Sequence, residues 1–431
     1  MRNIGYRGVL CATAVVLAAA LSMTAEAAPK KARAAKPAAK VEQPANLEIE
    51  IYQRLPASQA KALQELVDRF NAQNPGPRLT FVDRDWRSGN MPDLLILGGD
   101  EEDAFLASKK PRYQPLFALM QKAGVALQTV KPQAMVTRDP VNAKGQLLAL
   151  PVGLSTPVLY VNRAAFKRAR LEPNARLTTW ADVQAVLVRL QQGGSRCPLT
   201  VAEPARVFIE NQSAWNNVPA LRGKQAAFNG LFHVKYLALM ASWYRANLLH
   251  VFDDLAASEQ RFATGECALF VGPSNSWADF RAQNVEVDVT RLPYQDDTPG
   301  APQNTLADGA SLWAAAGKKA AAYKIVANFV GFWLQPDNQV AWQRATGFLP
   351  LNRAGILASD SNLLGDELEN IKVAISQLAN RPTTPNSVSQ AALERARARQ
   401  VIDEELAEVW ADRKATKAAL DSAALRVSTG K

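Results

Sequence analysis

Six consecutive residues, Gly272-Pro273-Ser274-Asn275-Ser276-Trp277, follow an apolar run ending at Val271 and precede a helical pattern. At such a strand-to-helix turn, free backbone N–H groups and short hydroxyls can face a polar ligand. Gly98-Gly99-Asp100 stands in a comparable place, after the apolar run Asp93 to Leu97. In open α/β sheets, ligands bind beyond the carboxyl ends of strands. Asp308-Gly309 is a turn signal before the short apolar run Ser311-Leu312-Trp313. Glu203 and Arg206 are three residues apart, which permits a salt bridge on one helical turn or leaves Arg206 to meet a single charge on a ligand. These groups hold a molecule; none of them is a catalyst. The chain has two histidines, and His233 lies in an apolar helical stretch with Leu231, Tyr236, Leu237 and Met240. No Gly-x-Ser-x-Gly elbow and no Cys/His metal spacing occurs, and Glu404/Glu405 fall on a C-terminal helix. An exported enzyme is therefore not the expected class.

The elements that must position these residues alternate between strand and helix. Leu47, Ile49 and Ile51 alternate with acids in an opening strand. Ser58 is the expected cap of a helix with Leu63, Leu66, Val67 and Phe70 on its inner face, ended by Asn74-Pro75-Gly76. Leu79 to Val82 and Asp93 to Leu97 follow as strands, the latter apolar throughout and so expected to be central and parallel. The run from Leu148 to Asn162, broken by Gly153 and Pro157, reads as a crossing between lobes. Thr179 caps a helix carrying Trp180, Val183, Val186, Leu187 and Leu190. Ile325, Val326, Phe329, Val330 and Trp333 form another buried face, which Pro336 ends before a short helix from Asp337 to Ala345. Helices from Val401 to Trp410 and from Thr416 to Val427 close the chain. Alternation of this kind gives α/β lobes.

Residues 1–27 read as a cleavable signal: Arg2 and Arg7, an apolar run too short to be a permanent span, then Ala25-Glu26-Ala27. Cleavage after Ala27 places the mature protein in a bacterial periplasm. Residues 28–45 are an Ala/Lys/Pro spacer expected to be disordered, and with the signal they carry about half of the formal net charge of +10. The charge thus gives no reason to expect nucleic acid as a partner. Setting both segments aside leaves about 385 residues, too many for one core and enough for two lobes. Cys197 and Cys267, the two mature cysteines, are either a disulfide or two buried thiols.

Several segments, in this order, resemble one family: STPVLYVN (155–162), TTWADV (178–183), IENQSAWNNVP (209–219), FATGECALFV (262–271), APQN with DGASLW (301–313), ATGFLPL (345–351) and VIDEELAEVW (401–410). They resemble the extracellular solute-binding proteins of ABC importers, in the maltose-binding-like group, and within it the glycerol-3-phosphate binders of the Ugp-type importer. The resemblance implies the type II periplasmic binding fold, with mixed sheets flanked by helices and two lobes joined by hinge strands. The expected N-lobe is 46–153 plus 309–355, and the C-lobe is 154–308 plus 356–427. It implies closure on a small-molecule solute in the interlobe cleft and delivery to ABC transporter permease subunits at the inner membrane. A monomer without cofactor or metal is expected.

Ser155, the Ser274/Ser276 turn and Gly309 match the family's ligand positions. Elsewhere the pattern departs. A tyrosine-bearing segment between the second and third strands is missing, with Trp86 nearby. An acid becomes Gly99, two pocket tryptophans align with Glu203 and Arg206, and a tyrosine becomes Phe348. The arginine expected near Ala391 is absent, with Arg395, Arg397 and Arg399 a turn or more later. A phosphomonoester dianion needs several converging donors or cations. The expected solute is therefore a sugar, polyol or glycerophosphodiester, neutral or zwitterionic. Trp86, Trp215, Trp277 and Phe348 are the faces on which a ring could stack, each also readable as core. The expected site is Trp86, Gly99, Ser155, Glu203, Arg206, Trp215, Ser274, Ser276, Trp277, Asp308, Gly309 and Phe348. The alternatives are a glycerol-3-phosphate binder with re-placed ligands and a binding protein that no longer serves transport.

Overall fold

The computed structural model describes residues 47–125, 127, 141–142, 144, 146–172, 175–223, 225–350, 360, 365–388 and 396–429. The expected signal and spacer, residues 351–359 at the expected lobe boundary, and Arg395 lie outside the described residues.

Two five-stranded mixed sheets carry the described chain. The first runs Arg78–Phe81, Glu48–Tyr52, Leu94–Gly98, Ala310–Ala314, Leu150–Pro151. Its first three strands are parallel, and Ala310–Ala314 is antiparallel to both neighbours. Leu94–Gly98 is therefore central, but parallel on one side only. It pairs with a strand more than 200 residues later in the chain, with Leu312 opposite Ile96 and Trp313 opposite Leu95. The second sheet runs Val287–Thr290, Pro157–Asn162, Cys267–Pro273, Cys197–Val201, Leu249–His250. It is antiparallel across its first three strands and parallel across its last three. Both Pro157–Asn162 and Cys267–Pro273 are buried along their whole length, as continuous apolar runs require. Cys197 and Cys267 are register partners on adjacent parallel strands and form a disulfide, with Cα atoms 4.4 Å apart.

The helices follow their apolar spacing. Helix Ala57–Gln73 buries Leu63, Leu66, Val67 and Phe70. Its N-cap is Pro56 and not Ser58. Ser58 falls inside the first turn, close enough to Asp279 to lower that carboxyl against the effect of burial. Thr179 and Asp182 form a capping box at the start of helix Trp180–Gln192. Pro336 opens helix Pro336–Thr346 at its first position, where a missing N–H costs nothing, and Gly347 closes it in the left-handed conformation.

The two crossings between sheets define the hinge. One runs from Leu150–Pro151 to Pro157–Asn162; the other runs from Val287–Thr290 to Ala310–Ala314. Apolar packing is continuous past them. Leu312, Trp342 and Phe348 from the first side share one core with Leu154, Tyr160, Phe270 and Trp277. A second core lies on the far face of the second sheet, and a small third one holds Tyr52, Trp86, Phe105 and Trp313.

Candidate functional site

The two crossings lie side by side. Ser155 N–H donates to the Asp308 carbonyl and Asp308 N–H to the Ser155 carbonyl, both at 2.9 Å. Beside this pair the backbones nearly touch. A Cβ on Gly309 would sit 1.0 Å from the Gly153 carbonyl oxygen, and one on Gly153 would sit 2.9 Å from the Phe348 ring. Glycine at both positions lets the crossings approach and lets Phe348 close over them. Phe348 stacks on Trp342, with centroids 6.3 Å apart, and Trp342 Nε1 donates to the Val152 carbonyl at 2.8 Å.

An ionic network is built on Asp308. Its Oδ1 accepts from Gly309 N–H at 2.8 Å, and its Oδ2 accepts from Arg399 Nη1 at 2.9 Å and lies 3.4 Å from Arg206 Nε. Arg399 donates through Nε and Nη2 to the two oxygens of Glu210, at 2.7 and 2.8 Å. Arg206 Nη1 donates to Glu203 at 3.0 Å, so the three-residue spacing does make a salt bridge. Arg206 is 5% exposed, and its Nη2 is buried with no hydrogen-bond partner among the described residues. Arg206 and Glu210 both come from a π-helical turn, Ala205–Asn211, preceded by Glu203 at φ +51°. Both features cost energy and concentrate at functional sites. Ala205 N–H donates to Asp403 at 2.8 Å, and burial pushes the Asp403 carboxyl up to about 6. Burial also raises Glu210, with Arg399 opposing.

The turn after Cys267–Pro273 behaves differently from the expectation. Ser274 is fully buried: its N–H donates to the Thr156 carbonyl at 2.9 Å and its Oγ accepts from Thr156 N–H at 3.3 Å. Ser276 Oγ donates to the Glu259 carboxylate, which burial pushes up to about 7. Both hydroxyls thus brace the hinge and the wall behind it. The turn meets the other lobe directly, since a Cβ on Gly347 would lie 2.3 Å from the Asn275 carbonyl oxygen. Trp277 is buried next to it, with the Arg281 guanidinium 5.0 Å from its ring centroid.

The structure therefore brings Ser155, Glu203, Arg206, Asp308 and Gly309 together, with Ser274, Ser276, Trp277 and Phe348 packed around the same crossings. Gly99 begins helix Gly99–Leu106, which approaches helix Ala396–Trp410, the bearer of Arg399 and Asp403. Two expected residues are elsewhere. Trp86 packs edge-on against Phe105 at 5.5 Å, with the guanidiniums of Arg87 and Arg112 at its ring, in the small third core. Trp215 is 1% exposed in the second core and donates to the Leu292 carbonyl at 2.7 Å. Burial in a core removes both from the set of open faces. His233 is also structural: Nε2 lies 2.7 Å from Ser213 Oγ, and burial lowers its pKa to about 3.

Glu210 and Asp403 are site residues that the sequence did not single out, and it named Arg399 only as one of three arginines. Glu210 and Arg399 are 189 residues apart, so no local pattern joins them. The one available signal was the run of three alternate arginines, of which Arg397 is exposed and bonded to Gln400.

A profile of bacterial extracellular solute-binding proteins matches residues 65–361. The sn-glycerol-3-phosphate-binding periplasmic protein UgpB of Pectobacterium atrosepticum is 30% identical over 388 residues, 85% of this chain and 87% of that protein. Its counterpart in Shigella dysenteriae is also 30% identical, over 85% and 88%. Among solved structures, UgpB of Mycobacterium tuberculosis in complex with glycerophosphocholine superposes with a TM-score of 0.73 at 19% identity, covering 89% of this chain and 98% of that one. Maltose-bound T. maritima MalE3 gives 0.70 at 15% identity, covering 89% and 100%. These likenesses show the type II periplasmic binding fold.

Proposed function

From the premise that this chain belongs to the bacterial extracellular solute-binding proteins, we propose that it takes one small polyhydroxylated solute into the cleft beside the Ser155–Asp308 crossing, without chemical change, and hands it to membrane permease subunits. The lobes divide at 46–153 plus 309–355 and 154–308 plus 356–427. The protein works as a monomer in the periplasm after removal of residues 1–27. Among the described residues, no helix is long and apolar enough to cross a membrane.

The observation that carries this reading is convergence at the crossing. Arg206 and Asp308 supply polar groups where Ser155 and Asp308 pair, and Phe348 and Trp277 lie in the apolar core that packs around the crossing. A sugar, polyol or glycerophosphodiester needs that mixture of hydroxyl partners and ring or chain contact. Glycerol-3-phosphate itself is the second reading, favoured by the two guanidiniums at the hinge.

The test is a thermal-shift screen of the protein from Ala28 onward with glycerol-3-phosphate, glycerophosphodiesters, maltose, trehalose and polyols. A solute that binds the folded state raises the melting temperature by mass action. A shift with one neutral solute or diester supports the proposal. Silence across the panel contradicts it.

A further inference from the structure

We propose that Glu210 and Asp308 make the hinge a charge filter: they neutralise Arg399 and Arg206, leaving the Arg206 Nη2 amino group as a single donor that accepts a neutral or singly charged oxygen and rejects a dianion. This rests on the solute-binding reading and names the residues that set its selectivity.

Among the described residues, two guanidiniums face three carboxylates, those of Glu203, Glu210 and Asp308. Glu210 is 3% exposed and accepts from Arg399 through both oxygens, a geometry that a protonated carboxyl, with one oxygen turned donor, does not offer. The described groups of the network therefore sum to a net negative charge, and Asp403 adds to that where it is ionised. A second negative charge brought to Arg206 would meet Asp308 at close range in a poorly solvated place, with the more exposed Glu203 adding a weaker, solvent-screened repulsion. The unpartnered Nη2 remains. A buried guanidinium N–H without an acceptor is costly, and a solute oxygen would satisfy it. One amino nitrogen, with its two N–H bonds, suits a hydroxyl, an ether or the free oxygens of a phosphodiester. It does not replace the several donors that a monoester dianion requires. Phe348 adds none, since its ring carries no hydroxyl.

Calorimetric titration with sn-glycerol-3-phosphate and with its methyl phosphodiester, at one pH near 8 and low salt, tests this directly. The two probes share a scaffold and differ by one methyl group and one charge. The wild type should bind the diester at least about tenfold more tightly than the monoester. Glu210→Gln keeps the shape of the pair and removes its charge, and should narrow or invert that ratio by raising monoester affinity. Asp308→Asn does the same from the hinge side and serves if the first variant fails to fold. Equal binding of both probes by the wild type overturns the filter, as does a ratio unchanged in both variants. A purely structural defect would weaken both probes together, which also counts against it. If neither ester binds while a neutral sugar does, Arg206 is not the receiver of a singly charged oxygen and this inference fails, with the solute-binding reading intact. If no solute in the wider panel binds, the solute-binding reading itself fails.

Discussion

Two ionic clusters flank the crossing, and they differ mainly in how much water reaches them. At the hinge, the side chains of Glu210, Arg206, Asp308 and Arg399 are 2%, 6%, 13% and 18% exposed. At the rim, Glu367 lies 3.0 Å from Arg281 and 3.7 Å from Arg344, and the two arginines are 44% and 47% exposed. Arg281 also donates to the Arg344 carbonyl at 2.6 Å. The residue types are the same, but the energetics are not. Exposed pairs contribute little and are screened by salt. A buried pair costs desolvation to form and is expensive to break on one side. The hinge cluster can therefore fix geometry and selectivity, while the rim cluster can only bias how readily the lobes meet.

The largest expected effect comes from pressing the crossings apart. Gly309→Val places a branched side chain where the Gly153 carbonyl already stands. It should destabilise the protein by about 4 kcal/mol or more and abolish solute binding, as read by urea unfolding and calorimetry. Next is Glu210→Ala, which strips the half-buried Arg399 of its buried two-point partner and should cost about 3–5 kcal/mol with little dependence on salt. A cost under about 1 kcal/mol would place the hinge network in the same class as the rim.

Acidity gives a third comparison. Burial holds Glu259 up at about 7 and Asp403 up at about 6, against ordinary values of 4.5 and 3.8. Between each pair of values the folded state binds a proton that the unfolded state does not. These groups therefore favour folding at low pH, and their contribution is lost as pH rises toward 7. Asp279, Glu203 and Asp254 face Glu259 and push it the same way. Glu259→Gln should flatten the decline in melting temperature between about pH 5 and about pH 8. An unchanged slope would mean that Glu259 is ionised throughout. The smallest effect is at the rim: Glu367→Gln should change stability by about 0–1 kcal/mol, and the difference should vanish in high salt.

The sequence was informative wherever the cause is local. The capping box at Thr179, the apolar face of helix Ala57–Gln73 and the strand at Ser311-Leu312-Trp313 follow from spacing and side-chain chemistry within a few residues. It was less informative where a distant partner decides. Ser58 has the chemistry of a cap, yet the helix already starts at Ala57, with Pro56 at its N-cap. Trp86 and Trp215 could have been ligand faces or core, and it was tertiary packing that made them core. The hinge aspartate was visible as a turn residue and Arg399 as one of three arginines, but their pairing was not. Type and spacing identified Glu203 and Arg206; only the fold shows that their charges are already balanced.

The most direct test of the account is hydrogen–deuterium exchange of the protein from Ala28 onward, with and without the tightest-binding solute of the panel. The account predicts new protection in residues 153–156, 203–210 and 306–310, around the crossing and its ionic network. Protection confined instead to the outer cavity of about 380 Å³ lined by Ala62, Leu66, Arg69 and Trp342 would contradict it.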